Sequence, residues 1–240
     1  MKKLIIIATL SIFLSACTNT PAENMYIDIT NVNEEGVTTI ETEMLNSILD
    51  NQTIVELTND EITDLKYMRE EEKLAHDVYF KLYETHKLQA FQNIANSELT
   101  HTEAVKTLLE NYKIDDPAEN NTQGEFENEA LQELYTTLTK QGEQNLKEAL
   151  KVGALIEEID IIDLQNAIQR TENNEIITVY ENLMKGSRNH LRAFVKNIEK
   201  NGNTYTNQKL SELEYNEIIN IETEKGRESG VKQGPKRGAQ

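Results

Sequence analysis

An all-α fold, a bundle of four long helices and one short one, is predicted by three observations. The 240 residues include only 10 Gly and 3 Pro, too few for the turns that many short strands require. Glu, Leu, Lys, Asn and Ile are common, a mixture that favours helix overall. From Thr58 onward, apolar residues recur at the three- and four-residue spacing of an amphipathic helix.

The elements follow in chain order. Met1-Lys2-Lys3 and the apolar run Leu4–Leu14 read as an export signal, because 11 residues are too few for a membrane span. Leu14-Ser15-Ala16-Cys17 resembles a bacterial lipobox, so residues 1–16 are expected to be removed and Cys17 acylated. Cys17 is the only cysteine, which excludes an intrachain disulfide. Residues 17–57, rich in Asn, Thr and Glu and without a sustained period, read as a tether with a little order around Met44–Leu57. Thr58-Asn59-Asp60-Glu61 has the pattern of a capping box, and the first long helix is expected to run to about Tyr83. A second spans about Phe91 to Tyr112 and stops before Asp115-Asp116-Pro117. A short helix fits Glu129–Lys140, a longer one Glu143–Gln169, and the last about Glu175–Asn201, closing a helical domain over 58–202. Residues 203–221 are expected to pack on the bundle, and 222–240, with four Gly and one Pro, to be disordered.

Charge narrows the function. Lys plus Arg number 24 against 42 Asp plus Glu, a net of −18, which excludes nucleic acid as a partner. Membrane contact is expected through lipid on Cys17, placing the protein in the cell envelope, rather than through a basic surface.

Each long helix interrupts its apolar stripe with polar residues near the middle. The first reads Leu65, Met68, Glu72, Ala75, Tyr79, Leu82, and the second Phe91, Ile94, Glu98, His101, Val105, Leu108. The third reads Leu150, Gly153, Glu157, Asp160, Leu164, Ala167, with Glu158 on an adjacent stripe as the competitor of Glu157. The fourth reads Ile176, Tyr180, Leu183, Ser187, His190, Phe194. A lone buried Glu or His is usually a satisfied core residue, but interruptions at one level of all four stripes point to a shared site. Glu98 and His101, three apart, face the same way and can reach one cation or bridge two. A divalent cation would offset carboxylates that could not all stay ionised when buried. Glu70 and Glu71 are expected to be solvated or to support the ligands from outside. His76 is expected at the surface, and His86 at a helix end.

Glu72-Lys73-Leu74-Ala75-His76-Asp77-Val78-Tyr79 and Glu98-Leu99-Thr100-His101 resemble the first two helices of ferritins and rubrerythrins. Arg69–Ala75, Ile156–Asp160 and Gly186–Arg192 resemble an uncharacterised branch, the domain of unknown function 2202 family, over roughly residues 58–202. The resemblance implies a ferritin-like four-helix bundle with a carboxylate–histidine centre of Glu72, Glu98, His101, Glu157 and His190, holding one or two ions of iron or manganese, with zinc also suited to the ligands. Tyr79 is the residue whose position permits a bond to a ligand or a redox role. The chain departs from the family pattern at Ser187-Arg188-Asn189-His190, where Glu-x-x-His would stand. Either Asp160 replaces the missing carboxylate, or the site is mononuclear or asymmetric. Gly186 beside Ser187 is expected to leave space for a substrate or a water.

Three functions follow as expectations: a metal-dependent oxidoreductase acting on peroxide, dioxygen or ferrous iron; a non-catalytic metal-binding or storage lipoprotein; or a structural helical module with a vestigial site. An anchored, tethered chain argues against a closed storage cage, while a homodimer is compatible with it. With no cysteine for an iron–sulfur domain of its own, a redox reading needs an external electron donor.

Overall fold

The computed structural model describes residues 26–226. The expected signal over 1–16, the lipidation residue Cys17 and residues 227–240 lie outside the described residues.

Among the described residues the chain is helical apart from two short strands, with seven helices in the order α1 Thr42–Leu49, α2 Asn59–His86, α3 Gln89–Tyr112, α4 Glu129–Gly142, α5 Leu146–Ile168, α6 Asn174–Lys200 and α7 Glu212–Ile219. Strands β1 Thr30–Val32 and β2 Thr38–Ile40 pair antiparallel, with Thr30 opposite Ile40. None of these helices is long and apolar enough to cross a membrane.

Local chemistry fixes the helix ends. The Thr58 hydroxyl accepts from the Glu61 amide while the Glu61 carboxylate accepts from the Thr58 amide, and Ser211 with Glu214 repeats the device at α7. Asn128, Asn145 and Asn173 cap α4, α5 and α6 through their side chains, each worth about 1 kcal/mol. The Asn145 cap is why α5 begins at Leu146 rather than at Glu143.

The four long helices pack in two pairs, α2 on α3 and α5 on α6, and the pairs meet along α2–α5 and α3–α6. Only Lys87 and Leu88 separate α2 from α3, whereas the connection from α3 to α5 is long and contains α4, which lies against both α2 and α5. The core includes Leu65, Leu82, Phe91, Leu108, Leu150, Leu164, Leu183 and Phe194, the apolar members of the four stripes.

Two expected boundaries need correction. Residues 26–57 are not simply a tether: β1 and β2 form a hairpin, β2 packs on α3 and α6, and α1 packs on α3 through the buried Leu45 and Leu49. The hairpin is hard to read because its inward residues include Thr30 and Thr38, whose polarity is satisfied by specific partners instead of water. Nor is the start of the tail free. Glu224 pairs with Arg188 at 2.6 Å and with Arg192 at 2.9 Å, which holds residues 222–226 against α6.

Candidate metal centre

Glu98, midway along α3, lies between two imidazoles. Its Oε2 is 2.8 Å from His101 Nδ1 and its Oε1 is 2.8 Å from His190 Nδ1. Glu72 Oε2 approaches the first ring at 3.4 Å, and Glu157 Oε1 the second at 3.7 Å. Two groups of ligand atoms result, Glu72–Glu98–His101 and Glu98–Glu157–His190, each with its atoms within 4.8 Å of one another. Glu98 belongs to both. All five residues are at most 2 % exposed, so their charges must be offset from within the protein.

The electrostatics follow from that enclosure. Burial opposes ionisation of Glu98, yet His101 and His190 outweigh it and hold the carboxyl well below its usual range. Burial instead dominates at Glu72 and Glu157, aided by the charge of Glu98, and pushes each up to about 7. For the histidines burial favours the neutral ring, but the carboxylates prevail and raise His190 to about 9 and His101 well above its ordinary value.

The donor set fits divalent cations. Glu72 Oε1, His101 Nδ1 and His190 Nδ1 are buried without a hydrogen bond of acceptable geometry, although the last two lie near carboxylate oxygens. Unsatisfied buried polar atoms cost about 1–3 kcal/mol each, and a cation between them would remove that cost. Each group offers two carboxylates and one imidazole, a mixture suited to iron, manganese or zinc.

The surrounding residues sort the other expectations. Asp160 is not within either group of close ligand atoms, but it is buried beside them. Its Oδ2 accepts from the Ser187 hydroxyl, its Oδ1 has no partner, and burial together with Glu72, Glu71 and Glu157 drives its carboxyl well upward. Asp160 is thus held against Ser187 of α6. The Tyr79 hydroxyl donates to Glu157 Oε1 at 2.6 Å, with the Gly153 carbonyl 3.2 Å away, and its ring packs against Phe194. Between Glu157 and Glu158, only Glu157 faces the centre. Glu158 accepts from the Tyr205 hydroxyl and from the amides of Gln208, Lys209 and Leu210.

Two readings change, and for Glu71 burial decides between the two alternatives. The space beside Gly186 is filled by the His101 ring, since a Cβ there would sit 2.5 Å from His101 Cε1. Glu70 is buried rather than solvated, and its carboxylate accepts from the Asn128 amide at 3.0 Å to seat the start of α4. Glu71 is also buried; neither of its oxygens has a partner, and burial with Asp163 and Glu72 nearby pushes its carboxyl well upward. Their position beside Glu72 in an acidic run suggests solvent, but crossing helices cover both. His76 stays outside the centre, paired with Asp77 at 2.9 Å, and His86 contacts the Gly142 carbonyl.

The profile of a family described as an uncharacterized protein domain, DUF2202, matches residues 61–222. The uncharacterized protein MJ0754 of Methanocaldococcus jannaschii is 53 % identical over 170 residues, which span 71 % of this chain and 92 % of that protein. The crystal structure of the hypothetical protein MJ0754 from Methanococcus jannaschii is similar with a TM-score of 0.71 at 51 % identity, covering 72 % of this chain and 99 % of that one.

Proposed function

The chain belongs to the DUF2202 family of uncharacterized protein domains, and we propose that it is a ferritin-like metalloprotein whose centre binds two divalent cations bridged by Glu98. The observation that carries this reading is the division of the Glu98 carboxylate, one oxygen at 2.8 Å from each histidine Nδ1, with Glu72 and Glu157 completing the two sides. Two helix pairs joined by one long connection support the ferritin-like part.

The activity proposed is redox chemistry on peroxide, dioxygen or ferrous iron. A redox-active metal such as iron or manganese would supply the electron transfer, with electrons from ferrous iron or an external donor. The chain's own contribution is to hold the ligands, exclude bulk water and place the Tyr79 hydroxyl against Glu157. The near-complete enclosure of the ligands favours a second reading, a metal-holding protein without turnover. Metal analysis of protein purified from its native host, followed by stopped-flow mixing of the iron-loaded protein with peroxide or oxygen, separates the two. Oxidation over many turnovers supports the enzyme, firm binding without turnover the holding protein, and absence of bound metal rejects both.

The same reading includes export and acylation at Cys17. Its support is the Leu14-Ser15-Ala16-Cys17 sequence after a positive start and an apolar run. Cys17→Ala should leave unprocessed precursor and abolish lipid labelling; unchanged acylation would reject the anchor.

A further inference from the structure

We propose that the N-terminal hairpin is part of this centre: the Thr38 carbonyl holds His101 directly, and His190 through the Ser97 hydroxyl, so that both rings turn Nδ1 toward the cations. The inference rests on the reading of the two carboxylate–histidine groups as cation sites. It adds Thr38 and Ser97 as positioning residues.

The hydrogen bonds determine which ring nitrogen carries hydrogen. His101 Nε2 lies 2.8 Å from the Thr38 carbonyl oxygen, which can only accept, so Nε2 must donate. The Ser97 hydroxyl donates to the same carbonyl. With its one hydrogen committed there, its 3.0 Å contact to His190 Nε2 must be donated by the ring. The Thr38 amide, which can only donate, also points at that nitrogen, but at 3.5 Å it is too long to compete with the 3.0 Å Ser97 contact, which decides where the hydrogen sits. Both neutral rings therefore carry hydrogen on Nε2 and present a bare Nδ1 to the carboxylate side. Without a cation, when the rings are protonated, the same Nε2–H bonds persist. Partners of this kind fix ring orientation and tautomer in metal sites generally.

Thr38 is itself held firmly. It is fully buried, its Oγ1 accepts from Asn189 Nδ2 at 2.9 Å, and the Ile40 amide, two residues on, donates to Thr100 Oγ1 at 3.0 Å. The strand is thus tied to α6 beside His190 and to α3 beside His101. These hairpin residues precede the 61–222 region shared with the family.

The test is imidazole nitrogen NMR of the full chain, labelled with 15N-histidine, with and without zinc(II). His76→Gln and His86→Gln identify the two remaining signals. Two slowly exchanging Nε2–H protons are expected in both states, with zinc shifting only the Nδ1 resonances. Ser97→Ala should speed exchange of the His190 proton at least ~10-fold and weaken zinc on the His190 side ~10–100-fold. The His101 proton should stay protected in that variant, which reports that the fold is intact, and Ser97→Thr should restore His190. Zinc coordination through Nε2, or a His190 proton equally protected in Ser97→Ala, would overturn the proposal. Protected Nε2–H protons with no zinc response would instead reject the cation reading and leave the hydrogen-bonded lock standing.

Discussion

At the scale of single residues, the centre depends on small side chains as much as on ligands. Gly186→Ala would put a Cβ 2.5 Å from His101 Cε1, so the ring must tilt away from Glu98. The expected result is a loss of about 1–3 kcal/mol in stability together with weaker cation binding; calorimetry and metal titration of the variant check both. The titrating groups also fix a pH dependence. Glu72 and Glu157, each raised to about 7, stabilise the metal-free protein below their unfolded value of 4.5, and that stability is lost as pH rises through 7. The raised His190 acts in the same direction: its contribution is full below 6.5 and lost through about 9. Glu98 is depressed, so its contribution is lost only in acid, below this window. These groups should therefore lower the melting temperature of the metal-free protein from about pH 5 to 9, while the rise produced by excess manganese(II) widens. A metal-induced rise that is constant with pH would contradict the coupling. The acidic and imidazole members of the cluster were legible in the sequence because charges in an apolar stripe are conspicuous. Ser97 and Thr38 were not: a small hydroxyl residue such as Ser97 looks the same in a stripe whether it holds a ring or fills space, and Thr38 acts through a backbone carbonyl that every residue carries.

At the scale of elements, adjacent residues in one motif serve different partners. In α2, Arg69 pairs with Asp116 at 3.0 Å and Lys73 donates to the Thr122 carbonyl at 2.8 Å, both securing the long connection, while Glu72 alone of that run joins the centre. In α5, Glu157 faces the candidate centre and Glu158 gathers the amides of residues 208–210. A variant pair separates these roles. Glu158→Gln should cost about 1–3 kcal/mol by weakening the seat of the C-terminal segment, with cation number unchanged. Glu157→Gln should lower cation affinity on the His190 side and raise metal-free stability near pH 8, where the buried carboxylate is otherwise charged. Thermal melts and metal stoichiometry of the two proteins read the contrast, and equal metal loss in both would undo it. The long helices were legible from their period and caps. The choice between Glu157 and Glu158 was not, since their stripes are adjacent and only the partner, residues 205–210, decides.

At the scale of the whole molecule, two helix pairs bring acidic or imidazole groups from all four long helices, two of them from α3, to a common level, and the hairpin covers the α3–α6 side. The helical layout could be read from the sequence, but the hairpin could not. Three-residue strands carry too little pattern, and an isolated two-stranded hairpin is marginal until it packs on helices. Because the centre forms only when all these elements assemble, a cation that binds the folded chain should stabilise it as a unit, by about 2.7 kcal/mol at a hundredfold excess over Kd. The division of Glu98 between two sites is tested most directly by anomalous X-ray scattering from crystals of the protein grown with manganese(II). Two anomalous peaks are expected, one beside each oxygen of Glu98, the first within bonding distance of Glu72 and His101 Nδ1 and the second of Glu157 and His190 Nδ1. A single peak that leaves one histidine without a metal, or peaks only at surface carboxylates, would contradict the shared two-cation centre.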